Sequence, residues 1–135
     1  GEGITCKIET GKMLAEAGLH PATGGDGLTV CSGDMLLEAL AACAGVTLKA
    51  VATAIEFNLQ DAYVKVEGDL DFRGTLSVDR NAPVGFKNIR LQFQLHTNES
   101  PEKIDTLIKL TERYCVVYQT LVKGNRIDVS ISEHK

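Results

Sequence analysis

Two cysteines lie inside the two stretches of this chain best suited to form helices, and thiols so placed can do redox chemistry. Cys43 closes the alanine-rich run Leu36–Leu37–Glu38–Ala39–Leu40–Ala41–Ala42–Cys43. Cys115 sits in Thr111–Glu112–Arg113–Tyr114–Cys115–Val116–Val117–Tyr118. Thiols on separate helices can meet where the helices cross, and a pair that closes and reopens a disulfide can carry out oxidation and reduction. Free cysteine is also among the most buried residue types and packs as a small hydrophobe. On pattern alone both readings stand. Cys43 lies too far inside its helix for that helix's own N-terminal dipole to reach it, so a reactive thiolate there needs a positive partner or a strong donor.

The elements that must position these thiols can be read from periodicity. Ser32–Gly33–Asp34 marks a helix start, a hydroxyl cap followed by an acid that the helix dipole favours in the first turn. The helix it opens is predicted to run over about 32–57. It is apolar nearly all the way round, with Ala39, Ala41, Ala42, Ala44 and Gly45 keeping its middle thin, so it is expected to be central. On its Cys43 face stand Leu36, Ala39, Leu40, Val46, Thr47 and Ala50. A second helix over about 100–123 opens at Ser100–Pro101 and is expected to stop at Gly124. Its stripe of Ile104, Leu107, Ile108, Thr111, Cys115, Tyr118 and Leu121 or Val122 turns Cys115 toward the core.

Alternation at period two predicts the strands. Ile4, Cys6 and Ile8 read as a short strand ahead of a glycine-rich loop, within an N-terminal segment 1–31. Between about 62 and 97, Val64, Val66, Leu70 and Phe72 form one alternating set and Ile89, Leu91, Phe93 and Leu95 another. Ile127, Val129 and Ile131 predict a final strand over about 126–132. Each has one buried and one wet face, as in an antiparallel sheet. The whole is a single α+β domain.

Composition removes several classes of function. The 135 residues suit one domain with a core of its own. Fourteen basic against 18 acidic residues give a net charge of -4 with no basic cluster, which disfavours nucleic acid. The most apolar stretch, Ala39 to Leu48, is half the ~20 residues a membrane span needs. No signal-peptide pattern is legible, so the expected compartment is the cytoplasm, where thiols stay reduced. The four cysteines, Cys6, Cys31, Cys43 and Cys115, have no metal-ligand spacing and no histidine close by, so neither a metal nor another bound cofactor is expected. Cys6 reads as a packing residue; Cys31, near the helix start where a thiol can be activated and next to the apolar Val30, reads equally as reactive or as packing.

The segment Leu36–Leu37–Glu38–Ala39–Leu40–Ala41–Ala42–Cys43 resembles the L-L-x-A-L-x-A-C signature of the OsmC-like family, which includes the organic hydroperoxide resistance proteins. Tyr114–Cys115 is similar to that family's second cysteine. The resemblance implies two long central helices packed between antiparallel sheets in an intertwined homodimer with two active sites at the interface. It implies that Cys43 attacks an organic hydroperoxide and becomes a sulfenic acid, that Cys115 resolves it as a disulfide, and that an external dithiol reductant resets the pair. The family's upstream arginine has no counterpart here, since no arginine precedes Arg73. Asp34 stands near the position of the family's helix-start glutamate, and His20 in the glycine-rich loop is a candidate supporting residue. Lys12, Arg73 or Arg113 are further candidates for the missing positive charge, and Val116 replaces the proline that commonly follows the second cysteine. The alternative is a non-catalytic dimeric module that binds an apolar ligand or senses redox state.

Overall fold

The computed structural model describes residues 32–133 in full and, of the preceding segment, the backbone of residues 2–7, 17–18 and 30–31. His20, Lys12 and most of the glycine-rich loop lie outside the described residues.

A 23-residue helix, α1 (Ser32–Ala54), organises the rest. Its leucines and alanines are strong helix formers, and Asp34 faces the positive end of the dipole. By length and apolarity α1 is long enough to cross a membrane. Here one side of it, Leu37, Leu40, Ala41, Ala44, Leu48, Val51 and Ala52, is buried in protein. The helix stops three residues before the predicted limit because the chain turns left-handed at Glu56, whose φ is 54°. Phe57 N–H then donates back to the Ala52 carbonyl at 2.8 Å and Glu56 N–H to that of Thr53 at 3.2 Å. This is a Schellman-type ending, with glutamate where glycine is the usual residue.

The main sheet has three strands: β1 (Glu2–Lys7), β4 (Asp61–Gly68) and β5 (Ile89–His96), with β4 in the middle and both pairings antiparallel. Two short strands, β2 (Ala17–Gly18) and β3 (Val30–Cys31), pair separately in parallel, and β3 runs straight into α1. Along β4, Ala62, Val64, Val66 and Gly68 are buried and the residues between them half-exposed. Val64 sits opposite Phe93 and Val66 opposite Leu91, so one apolar face is shared by β4 and β5 and packs on α1. Gly68 is buried where a Cβ would lie 2.6 Å from the Phe86 ring, so no larger residue fits without moving that ring.

Between β4 and β5 the chain forms a loop with one helical turn, α2 (Phe72–Thr75), capped by Asp71. Leu70 and Phe72, read as continuing the strand, fall in this connection, beyond the end of β4 at Gly68. On the wet face of the sheet, Arg90 holds Asp69 at 2.9 Å and Glu67 at 3.4 Å, and Lys65 holds Glu67 at 2.8 Å.

The predicted second helix is two helices. α3 (Pro101–Tyr114) starts with Ser100 accepting from the Lys103 N–H and with Pro101 in its first turn. It ends at Cys115, whose backbone is extended (φ -75°, ψ 111°), and α4 (Val116–Lys123) begins on the next residue. The Gln119 side-chain amide donates to the Glu112 carbonyl at 2.8 Å and so pairs one of the carbonyls that the end of α3 leaves open. Leu107 is fully buried against the C-terminal half of α1, in a cluster with Leu48, Val51, Ala52, Phe57 and Ala62.

Residues 124–133 have no regular secondary structure, in place of the predicted final strand. Ile127, Val129 and Ile131 are 81–89 % exposed, because within the described chain no neighbouring strand is there to receive them. Among the described residues of the single chain the helices lie on one face of the main sheet. The outer side of α1, with Ala39, Ala42, Val46 and Ala50, faces outward.

Candidate functional site

The two thiols meet where α1 passes the junction of α3 and α4. Cys43 and Cys115 are both free, and each is a hydrogen-bond partner of the other. Cys115 is 1 % exposed and belongs to the core cluster of Leu37, Leu40, Ala41, Ala44, Val64 and Val66. Cys43 is half-buried and packs on the rim of that cluster, as do Val117, Tyr118 and Leu121 of α4. One thiol thus stands at the surface of the core and its neighbour lies just beneath.

Their surroundings drive the two thiols apart in acidity. Burial raises the Cys43 pKa, but four donors outweigh it: the Val117 amide, the Cys115 thiol, the Thr47 hydroxyl and the Val116 amide. The net effect is a Cys43 thiol more acidic than an ordinary cysteine. For Cys115, burial is the largest influence and raises the pKa, and the neighbouring Cys43 raises it further. The Tyr118 and Val117 amides only partly offset this, so Cys115 is held as the neutral thiol. Such a pair can supply a thiolate at the rim and a proton donor behind it.

The amides come from the break in the second helix. An N-terminal helical turn leaves its first N–H groups without carbonyl partners inside the helix. In α4 the N–H of Gln119 bonds the Cys115 carbonyl at 2.9 Å, so Val116, Val117 and Tyr118 precede the first intrahelical bond. Cys115 is the capping residue of α4, and its side chain makes no cap hydrogen bond. The sequence places Thr47 one turn from Cys43 on the same face, but nothing in it marks residues 115–116 as a helix break. Neither proline nor glycine stands there, and the β-branched pair Val116–Val117 is the only local hint.

Asp34 is in the first turn of α1, about 13 Å along the axis from Cys43 at 1.5 Å per residue. Of the arginines considered as counter-charges, Arg73 pairs with Asp71 at 2.6 Å, and Arg113 lies over the Tyr114 ring at 5.5 Å. Among the described residues no cluster of His, Cys, Asp or Glu is arranged to hold a metal ion. An open cleft of about 290 Å³ lies along the last turns of α1, lined by Lys49, Ala52, Thr53, Phe57, Leu59, Gln60, Asp61 and Ala62. Neither cysteine lines it.

An antiparallel sheet carrying a central helix defines an α+β protein. A family model for OsmC-like proteins matches residues 24–131, and the chain belongs to that family. Solved structures share the fold. An OsmC-like protein from Mycoplasma pneumoniae is 23 % identical with a TM-score of 0.61, over 71 % of this chain and 64 % of that one. An organic hydroperoxide resistance protein OsmC from Legionella pneumophila is 17 % identical with a TM-score of 0.62, over 93 % of this chain and 91 % of that one. An OsmC-like hydroperoxide resistance protein from Jannaschia sp. CCS1 is 18 % identical with a TM-score of 0.59, over 73 % of this chain and 64 % of that one. The chain thus spans just under two thirds of the length of two of these relatives. Comparison with proteins of curated function gives no match.

Proposed function

We propose that this protein is a thiol-dependent peroxidase that reduces organic hydroperoxides, with Cys43 attacking and Cys115 resolving. The observation that carries the reading is the contact between a half-buried, acidified thiol and a buried, protonated one. Membership of a family whose solved relatives include hydroperoxide resistance proteins supports the choice of substrate.

In the first step the Cys43 sulfur attacks the distal oxygen of R–O–O–H. The O–O bond breaks, the sulfur loses two electrons, and R–O⁻ leaves and takes up a proton to become the alcohol. Cys43 is then a sulfenic acid. In the second step the Cys115 sulfur attacks that of Cys43, an S–S bond forms, and the hydroxyl leaves as water with the Cys115 proton. An external dithiol reduces the disulfide by exchange and is itself oxidised to a disulfide. The apolar surroundings of Cys43 favour an alkyl-bearing peroxide over hydrogen peroxide, since burial contributes about 0.8 kcal/mol per CH₂.

The working form in this reading is a homodimer. A second copy would cover the outward face of α1 and pair with the exposed 126–132 segment, closing the apolar wall around Cys43. The deciding experiment exposes the reduced protein to stoichiometric cumene hydroperoxide without reductant, followed by intact-mass and peptide mapping. The expected product is a Cys43–Cys115 disulfide with a loss of two mass units. If all thiols survive excess peroxide, Cys43 does not attack peroxides and the protein is a binding module of the same fold.

A further inference from the structure

The break in the second helix is held by a half-buried residue that bonds both sides of it. The Gln119 N–H donates to the Cys115 carbonyl at 2.9 Å and closes the first turn of α4. The Gln119 side-chain amide donates to the Glu112 carbonyl at 2.8 Å, seven residues back on α3. In an unbroken α-helix that carbonyl would accept the N–H four residues on, which is that of Val116. The Gln119 side chain therefore stands in for the donor that the break takes away. We propose that Gln119 is a positioning residue for the resolving thiol: its amide latches α4 to the end of α3, keeps the Cys115 backbone extended, and so sets where the Cys115 sulfur stands relative to that of Cys43.

The competing arrangement is one continuous helix. The stripe from Ile104 to Leu121 fits it, and neither proline nor glycine stands between Tyr114 and Gln119 to forbid it. The two arrangements differ in where α4 goes. Leu107 of α3 packs among Leu48, Val51 and Ala52 of α1, and Cys115 lies further toward the start of α1, among Leu37, Leu40, Ala41 and Ala44. A straight helix would carry Leu121 about 9 Å beyond Cys115, at 1.5 Å per residue. With the break, Val117, Tyr118 and Leu121 still pack on the cluster that contains Cys115, and Cys43 packs on that same cluster. Without the Gln119 donor, the Glu112 carbonyl is left to the Val116 N–H, which tips the junction toward the continuous helix. A disulfide tolerates little error in such placement, since its two Cβ atoms must come within about 3.5–4.5 Å.

The proposal rests on the two-cysteine peroxidase reading for the role of the disulfide, but its test uses no peroxide. Reduced wild type, Gln119→Met and Gln119→Lys are equilibrated with mixtures of oxidised and reduced dithiothreitol, quenched by alkylation and mapped by peptide mass. In the exchange the two cysteine thiols give up two electrons and two protons, and the cyclic disulfide of the oxidant opens to the dithiol. Methionine keeps the length of glutamine without a donor, and lysine restores an N–H. Urea midpoints of the reduced proteins separate positioning from plain stability.

Gln119→Met should lower the equilibrium constant for the Cys43–Cys115 disulfide about three- to tenfold, the worth of one neutral hydrogen bond. Gln119→Lys should recover most of that loss. A lower urea midpoint with an unchanged disulfide constant in Gln119→Met makes the residue structural only and overturns the proposal, as does a constant lowered equally in Gln119→Lys. Wild-type protein that forms no Cys43–Cys115 disulfide overturns the proposal and the resolving step together. Protein inert toward peroxide but with the expected variant pattern supports the proposal and sinks the peroxidase reading alone.

Discussion

Two regions of this molecule hold negative charge in opposite ways. On the wet face of the sheet and the loop beside it, carboxylates are held by guanidinium groups: Asp69 by Arg90 at 2.9 Å, and Asp71 by Arg73 at 2.6 Å. At the crossing of α1 with α3 and α4, the Cys43 sulfur is held by amides, a hydroxyl and a thiol. The first kind of site is set up by charge in solvent, where ions screen it and its net worth is small. The second is set up by dipoles fixed in the fold and partly shielded from water, where each donor counts for more. In the proposed peroxidase reading reactivity belongs to the second, because an ion pair in solvent gains little from being well placed while a fixed donor array does.

The sharpest way to break this contrast is to remove the anion itself. Cys43→Ser should take peroxide reduction, followed as loss of organic hydroperoxide with a dithiol present, to background. Cys115→Ser should still consume one peroxide per Cys43 but form no intramolecular disulfide, as mass mapping would show. Equal and full rates in both variants would end the two-cysteine account.

The next largest effect is on the scaffold. Leu107 is completely buried where α3 meets α1, and its carbonyl accepts the Thr111 hydroxyl at 2.7 Å. Leu107→Ala should destabilise by about 2–5 kcal/mol in urea unfolding, the range for leucine removed from a packed core. On the other side of the comparison, Arg90→Ala should change the melting temperature only slightly, and less at high salt than at low salt. If the two substitutions cost the same, the sheet-face network is doing more than its exposure allows.

A smaller change should run in the favourable direction. Glu56 holds a left-handed backbone at the end of α1, which costs an ordinary residue about 1–2 kcal/mol. Glu56→Gly removes that strain at an exposed site and is expected to raise stability by about 1 kcal/mol, read as a shift in the urea midpoint.

The pH profiles of the two regions should also separate. The Arg73 guanidinium holds the Asp71 carboxyl at about 2, below its usual value. Its favourable contribution is complete above the unfolded value near 4 and is lost as the pH falls toward 2. Cys43 is likewise depressed, so its ionised form is favoured in the folded protein. Its reaction with peroxide or alkylating agent should rise with pH with a midpoint lower than that of an ordinary thiol. Cys115, shifted upward, should react only at higher pH or after unfolding.

What the sequence made legible follows from what periodicity measures. Alternation in Val64–Val66 and in Ile89–Leu91–Phe93–Leu95 reports which side chains share a face, and here those faces pack on α1. The same alternation in Ile127–Val129–Ile131 reports a face to be buried but not what buries it, and among the described residues nothing does. The stripe through Thr111, Cys115 and Tyr118 reads as one helix because a break of a single residue barely disturbs a 3.6-residue period. Cys43 and Cys115 could be picked out by their contexts. The amides of Val116 and Val117 could not, since a backbone donor has no letter of its own.

The crossing of α1 with the α3–α4 junction has a further consequence, for heat rather than for chemistry. A bond between Cys43 and Cys115 would tie off a loop of some seventy residues, which by loop-closure entropy removes about 4 kcal/mol of freedom from the unfolded chain. In the peroxidase cycle the protein would therefore be toughest just after it has spent its thiols and is waiting for a reductant. Melting temperature would then report how far the cell's reducing supply lags behind its peroxides.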